Sequence, residues 1–110
     1  MIMALSVVLT AKADAAEITL AGDLDASTAP LFQAELERAA ALKPGRLILQ
    51  VKDLAFMASA GIRMLLFAKQ KMGPRVGVYV IAPQEPILET LRRTGFVHSV
   101  IVQNEYLPGT

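Results

Sequence analysis

The sequence predicts one α/β domain over residues 1–110, a mixed central sheet of four to five strands in the order β-β-α-β-α-β-α with helices packed against it. Three observations carry this expectation. Strand-like and helix-like segments alternate along the chain, each bounded by glycine, proline or a small polar turn. The first two strand-like segments are joined by a short turn, which suits an antiparallel hairpin, whereas later strands are reached through helices, which suits parallel crossovers. Of 110 residues, 54% are hydrophobic and 19% charged, which is enough apolar surface for one core in a chain too short for two. With four Phe, two Tyr and no Trp, that core must be aliphatic.

Leu5 to Thr10 is β-rich and forms the first expected strand. The apolar start that contains it lacks the basic region a secretory signal needs, so it is assigned to the strand. Ala11 to Ala16 is a turn, and Glu17 to Ala21 alternates so that Ile18 and Leu20 share a face. Gly22-Asp-Leu-Asp-Ala-Ser27 breaks the pattern; Ser27 or Thr28 can cap a helix whose first turn accepts Pro30. Phe32, Leu36, Ala39 and Ala40 make the apolar stripe of that helix, and Lys43-Pro-Gly45 stops it. Arg46 to Val51 is a buried strand. Asp53 to Met57 leads into a second helix that starts near Ser59 and ends at Gly73-Pro74. Val76 to Ile81 is the next strand, Pro86 to Thr94 a short helix ended by Gly95, and His98 to Val102 an edge strand.

Most enzyme classes find no support. A receiver domain needs acidic residues at strand ends, but the first strand ends in Thr10-Ala11 and the third in Gln50-Val51-Lys52. The glycines are scattered singly, so there is no phosphate loop. His98, the single histidine, lies far from any candidate nucleophile, and with no cysteine there is no thiol chemistry or Cys-based metal site. Neither a metal nor another cofactor is expected. The net charge of +1 gives no pull toward nucleic acid, and no apolar run approaches the ~18 residues of a membrane helix, so neither nucleic acid binding nor membrane insertion is expected. The absence of cysteine suits a reducing, cytoplasmic setting.

Asp53 to Ile62 is the most informative stretch. Ser59 stands at the N-cap position of the second helix, and Gly61 in its first turn marks a close approach by backbone or by a partner. At ~100° per residue, Ile62, Leu65, Leu66 and Met72 form a stripe facing the sheet, opposite Arg63, Gln70 and Lys71. Phe67 falls inside that polar stripe, which makes it a surface aromatic or an anchor buried by a partner. Lys69 falls on the core stripe, with its stem over the core and its amine reaching water. Arg63 is one turn beyond Ser59 on the same side, placed to pair with a phosphate there.

The chain resembles the STAS-domain family, the anti-sigma factor antagonists, over nearly its whole length. Gly22-Asp-Leu-Asp25 with Ser27-Thr28-Ala29 resembles that family's turn into the first helix. Leu47 to Val51 through Phe56-Met-Ala-Ser-Ala-Gly-Ile62 resembles its central strand and serine motif, and Leu88 to Phe96 its third helix. At two positions the family usually has Asp and this chain does not: Ala58, just before the serine, and Gln50, at the end of the central strand. Both changes remove a charge beside the expected acceptor.

The resemblance implies a partner-switching regulator without enzyme activity. Its implied partners are an anti-sigma factor that is a GHKL-type serine kinase, which phosphorylates Ser59, and a PP2C-type phosphatase that resets it. The expected partner surface takes Asp23, Asp25 and Ser27 from the first loop. From the second helix and its approach it takes Met57, Ala58, Ser59, Ala60, Gly61, Arg63, Met64, Phe67, Gln70 and Lys71. The alternative is a STAS-like subunit that docks on a transporter ATPase or another complex without being phosphorylated.

Overall fold

In the computed structural model, residues 5–106 are described. The apolar lead-in 1–4 and the final four residues, both inside the expected domain, lie outside them. The elements are β1 (Leu5–Lys12), β2 (Ala15–Leu24), α1 (Ala29–Ala41), β3 (Arg46–Met57), α2 (Ser59–Met72), β4 (Gly77–Ile81) and α3 (Glu85–Arg93). A 3-10 turn (Phe96–Ser99) and β5 (Ile101–Gln103) follow. The sheet runs β1-β2-β3-β4-β5, with β1 antiparallel to β2 and every later pairing parallel. A two-residue turn at Ala13 and Asp14 joins the hairpin; Asp14 takes φ 57°, a left-handed conformation that Asp tolerates better than most residues.

Because side chains alternate along a strand, the two faces of the sheet have different fates. Ile18 and Leu20 of β2, Leu47, Leu49 and Val51 of β3, and Val78 and Val80 of β4 point into one core. There they meet Phe32, Leu36 and Ala39 of α1, Leu65 and Ala68 of α2, and Ile87 and Leu91 of α3. All three helices therefore cover the same face, as successive right-handed crossovers in one direction require. Among the described residues the other face holds a small cluster, Ala15, Ile48 and Ile81 with Tyr79, Ala82 and Tyr106 against it. Tyr106 stands edge-on to Tyr79 at 5.2 Å and accepts a hydrogen bond from Arg46 Nη1 (2.9 Å).

Two strands outrun the sequence expectation. β2 continues through Gly22 to Leu24, and β3 continues past Val51 to Met57. They extend together: Gly22 pairs with Leu54, Asp23 with Phe56 and Leu24 with Met57, across two register shifts. Gly22, at φ 105°, provides the irregularity that looked like a strand end. Gln50 accordingly lies in the middle of β3, on the helix-free face, and donates to Glu17 Oε2 (3.1 Å). It does not sit beside Ser59, so of the two charges removed only that at Ala58 adjoins the serine.

The outward face of α2 also differs from the expected one. Ala60, Gly61, Leu65 and Ala68 are buried, and Met64 and Phe67 are half-buried against the core. Ser59, Arg63, Leu66 and Gln70 point outward, with Leu66 48% exposed. The expected stripe was thus turned by about a quarter of the helix circumference: Phe67 is a packing residue, and Leu66 is the large apolar group left in solvent. α2 packs most closely on α1, and its first turn rests on Leu24 and Met57 at the ends of β2 and β3; close approach selects small side chains such as Ala and Gly on the inward face. Among the described residues no helix is long and apolar enough to cross a membrane, and no three His, Cys, Asp or Glu side chains cluster as a metal site would need.

Candidate functional site at the start of the second helix

Leu24 carries the β2 strand to the end of β3, and its carbonyl accepts the Ala58 N–H (2.9 Å). This bond holds Ala58 in extended conformation (φ −85°, ψ 176°), so the helix begins one residue earlier than a serine cap would place it. Ala58 is the N-cap; Ser59 is the first helical residue, is exposed, and makes no capping hydrogen bond. The expected capping role of Ser59 is therefore corrected, and its hydroxyl is left facing outward. Gly61 is explained by packing and not by a partner: a Cβ there would lie 2.6 Å from Met57 Cγ and 2.9 Å from Leu24 Cδ2.

The loop before α1 is tied by its own side chains. Asp25 Oδ1 accepts from the Ser27 hydroxyl (2.7 Å), the Ser27 N–H (3.0 Å) and the Thr28 N–H (3.2 Å). Thr28 takes the N-cap position of α1, but its buried hydroxyl does not cap the helix. It donates to the Asp23 carbonyl (2.9 Å) and accepts the Asp25 N–H (2.9 Å). The expected cap hydroxyls therefore fasten the loop to the end of β2.

The Ser27 hydroxyl above all holds the Asp25 carboxyl below its ordinary value; desolvation opposes this, and the Thr28 and Ser27 N–H groups and the Thr28 hydroxyl add to the lowering. A lowered folded-state value means that the carboxylate's contribution to loop order is present above the usual carboxylate range and lost as pH falls through the folded value. In an NMR titration the Ser27 and Thr28 amides should therefore move with a midpoint below that of an unstructured Asp, and Ser27→Ala should raise it. A midpoint at the ordinary value would show that the carboxylate does not hold this turn.

Of the remaining expected surface residues, Asp23, Ser27, Arg63, Gln70 and Lys71 are exposed, and Asp25 and Ala58 are half-exposed. Met57, Ala60 and Gly61 face inward and support the site from below. Gln70 and Lys71 lie at the far end of α2, on the order of 15 Å along the axis from Ser59, and are not gathered with it. The Lys69 stem lies partly buried, and its amine donates to the Ser99 carbonyl (2.7 Å).

Sequence reasoning missed a second wall. An open groove of about 1000 Å³ separates the start of α2 from α3. Its near side is Phe56, Met57, Ala58, Ser59, Ile62 and Arg63; its far side is Pro86, Glu89, Thr90, Arg93 and Thr94. Phe56 is 50% exposed. The signal for the far wall was present: with Ile87 and Leu91 inward, Pro86, Glu89 and Arg93 share another side of α3. Nothing in the sequence placed that side opposite Ser59.

The fold matches known anti-sigma factor antagonists. One from Mycobacterium paratuberculosis superposes with a TM-score of 0.85 at 19% identity, over 93% of this chain and 87% of that one. The anti-sigma factor antagonist SpoIIAA in its unphosphorylated form gives 0.77 at 17% identity, over 91% and 90%. The phosphorylated form of the Bacillus cell fate determinant SpoIIAA gives 0.69 at 17% identity, over 91% and 93%. No curated protein sequence matches the chain. The STAS-domain family model matches residues 6–106, almost the whole of the described structure, and the chain therefore belongs to the STAS-domain family.

Proposed function

We propose that this chain is a cytoplasmic protein-binding regulator of the anti-sigma factor antagonist type, and that Ser59 is the phosphate acceptor of its partner switch. The observation that carries the reading is the outward-facing Ser59 hydroxyl, which caps nothing and stands at the rim of a groove where strand hands over to helix. A GHKL-type serine kinase, itself the anti-sigma factor, would bind this face. The γ-phosphoryl of ATP would then pass to Ser59 Oγ, ADP would leave, and the hydroxyl proton would go to a base of the kinase. A phosphate at the first turn of α2 is favoured by the helix dipole and adds roughly −2 charge. The same charge is costly inside a closed interface, so the modified domain lets go without refolding. That SpoIIAA is known in both unphosphorylated and phosphorylated forms supports the reading. A PP2C-type phosphatase would reset it.

Incubation with the cognate kinase and ATP should add one phosphate by intact mass, and Ser59→Ala should add none. Equal phosphorylation of the two proteins would end the assignment. Leu66 is the large apolar group on the outward side of α2, and we expect it to be part of the docking surface. Leu66→Ala should weaken partner binding by up to ~2 kcal/mol and leave the melting temperature nearly unchanged. Unchanged binding in calorimetry would remove Leu66 from the interface.

A further inference from the structure

Arg63 and Arg93 come from different helices and line the same groove as the Ser59 hydroxyl. Both are exposed. The ion pairs among the described residues are Lys12–Glu17, Arg38–Glu35 and Arg92–Glu85, so neither groove arginine is engaged. The neighbouring Arg92, by contrast, donates to Glu85 Oε1 (3.1 Å). One acidic side chain, Glu89, also lines the groove, leaving two guanidiniums against one carboxylate. The other lining residues are apolar or neutral, so nothing else there competes for a guanidinium.

We propose that Arg93 of α3, together with Arg63 of α2, receives the phosphate of phosphorylated Ser59 within the same chain, so that the modification fills and closes the groove between the two helices. This rests on the reading of Ser59 as the phosphate acceptor and adds what the phosphate does once attached. A guanidinium presents several donors in a planar fork that suits phosphate oxygens, and bonds between ionised partners are stronger than neutral ones. Arg63 is one helical turn from Ser59, within reach along a single helix face. Arg93 reaches from the opposite wall, which is what makes the contact a bridge. A bridged phosphate ties α3 to the start of α2 and takes both cations away from any acidic group that a partner brings to this groove. Release then follows from occupation of the docking surface by the chain's own phosphate as well as from its charge.

The test separates this proposal from the acceptor assignment by installing phosphoserine at position 59 of the full chain by genetic encoding, without a kinase. The second phosphate ionisation, followed by ³¹P NMR, should fall about half a pH unit below that of a short unstructured peptide carrying the same residue, because two solvent-screened cations stabilise the dianion. Arg93→Gln should return it part of the way, and the Arg63→Gln/Arg93→Gln pair should return it fully. Arg92→Gln, which changes the same charge at a side chain already engaged with Glu85, should leave it within a tenth or so of the unsubstituted value. A titration indifferent to Arg93→Gln overturns the bridge, as does an equal response to Arg92→Gln. Arg93 is exposed, so the variant should fold, and an unchanged thermal transition confirms that the comparison is fair. Failure of the cognate kinase to modify Ser59 would count against the acceptor assignment alone, because the phosphate in this experiment does not come from it.

Discussion

Leu24→Ala should destabilise the domain by about 2–5 kcal/mol, the range for a fully buried leucine cut back to its Cβ. Leu24 has no exposed surface and closes the end of β2, with its side chain against the first turn of α2. Removing the isopropyl group opens a space beneath Gly61 that the surrounding strands, already in register, fill only in part. At ~4–8 °C per kcal/mol for a domain of this size, the melting temperature should drop by roughly 10 °C or more. The Ala58 N–H still finds the carbonyl at position 24, because that bond is made by backbone. Ser59 should therefore stay outward, and phosphorylation at low temperature should survive although stability does not. A loss below about 1 kcal/mol would mean that the gap collapses and that Leu24 does not set the level at which α2 rests.

The order and direction of the elements were legible because each boundary carries local chemistry: Pro30 in a first turn, Lys43-Pro-Gly45 after a helix, Gly73-Pro74 after another. The position of Ser59 was legible for the same reason, since a buried strand followed by a small polar residue and an amphipathic run leaves little choice. What escaped depended on distances between elements. Gly22 reads as a strand end, yet β2 continues through it because β3 continues beside it and a parallel ladder satisfies both backbones. The helical wheel of α2 was weighted by large side chains, so it aimed Leu66 inward and Phe67 outward. Tight packing reverses that weighting, because the inward face, pressed onto α1 and the ends of β2 and β3, carries Ala60, Gly61 and Ala68 beside the single large Leu65. Arg93 escaped for a similar reason. Its side of α3 follows from spacing, but its opposition to Ser59 follows only from where two crossovers leave their helices.

The packing argument makes Gly61 the sharpest test of how the site is held. In an exposed helix, glycine is worse than alanine by up to ~1 kcal/mol, so Gly61→Ala gains helix propensity. Here the added methyl would meet Met57 Cγ and Leu24 Cδ2 at 2.6 and 2.9 Å. Both side chains are buried and cannot swing into solvent. Overpacking of this kind costs ~1–3 kcal/mol, so the two terms oppose each other and Gly61→Ala should be destabilised by about 1 kcal/mol. Gly61→Val adds two further methyls on a branched, rotationally stiff side chain and keeps only a small part of the propensity gain, so its loss should reach about 3 kcal/mol. The Leu24→Ala background makes room for one methyl, so Gly61→Ala should be tolerated better there than in the unsubstituted protein, with a coupling of about 1 kcal/mol in a double-mutant cycle. If Gly61→Val unfolds at the same denaturant concentration as the parent, the first turn of α2 is not pressed onto the end of β2. The outward placing of the Ser59 hydroxyl would then need another cause.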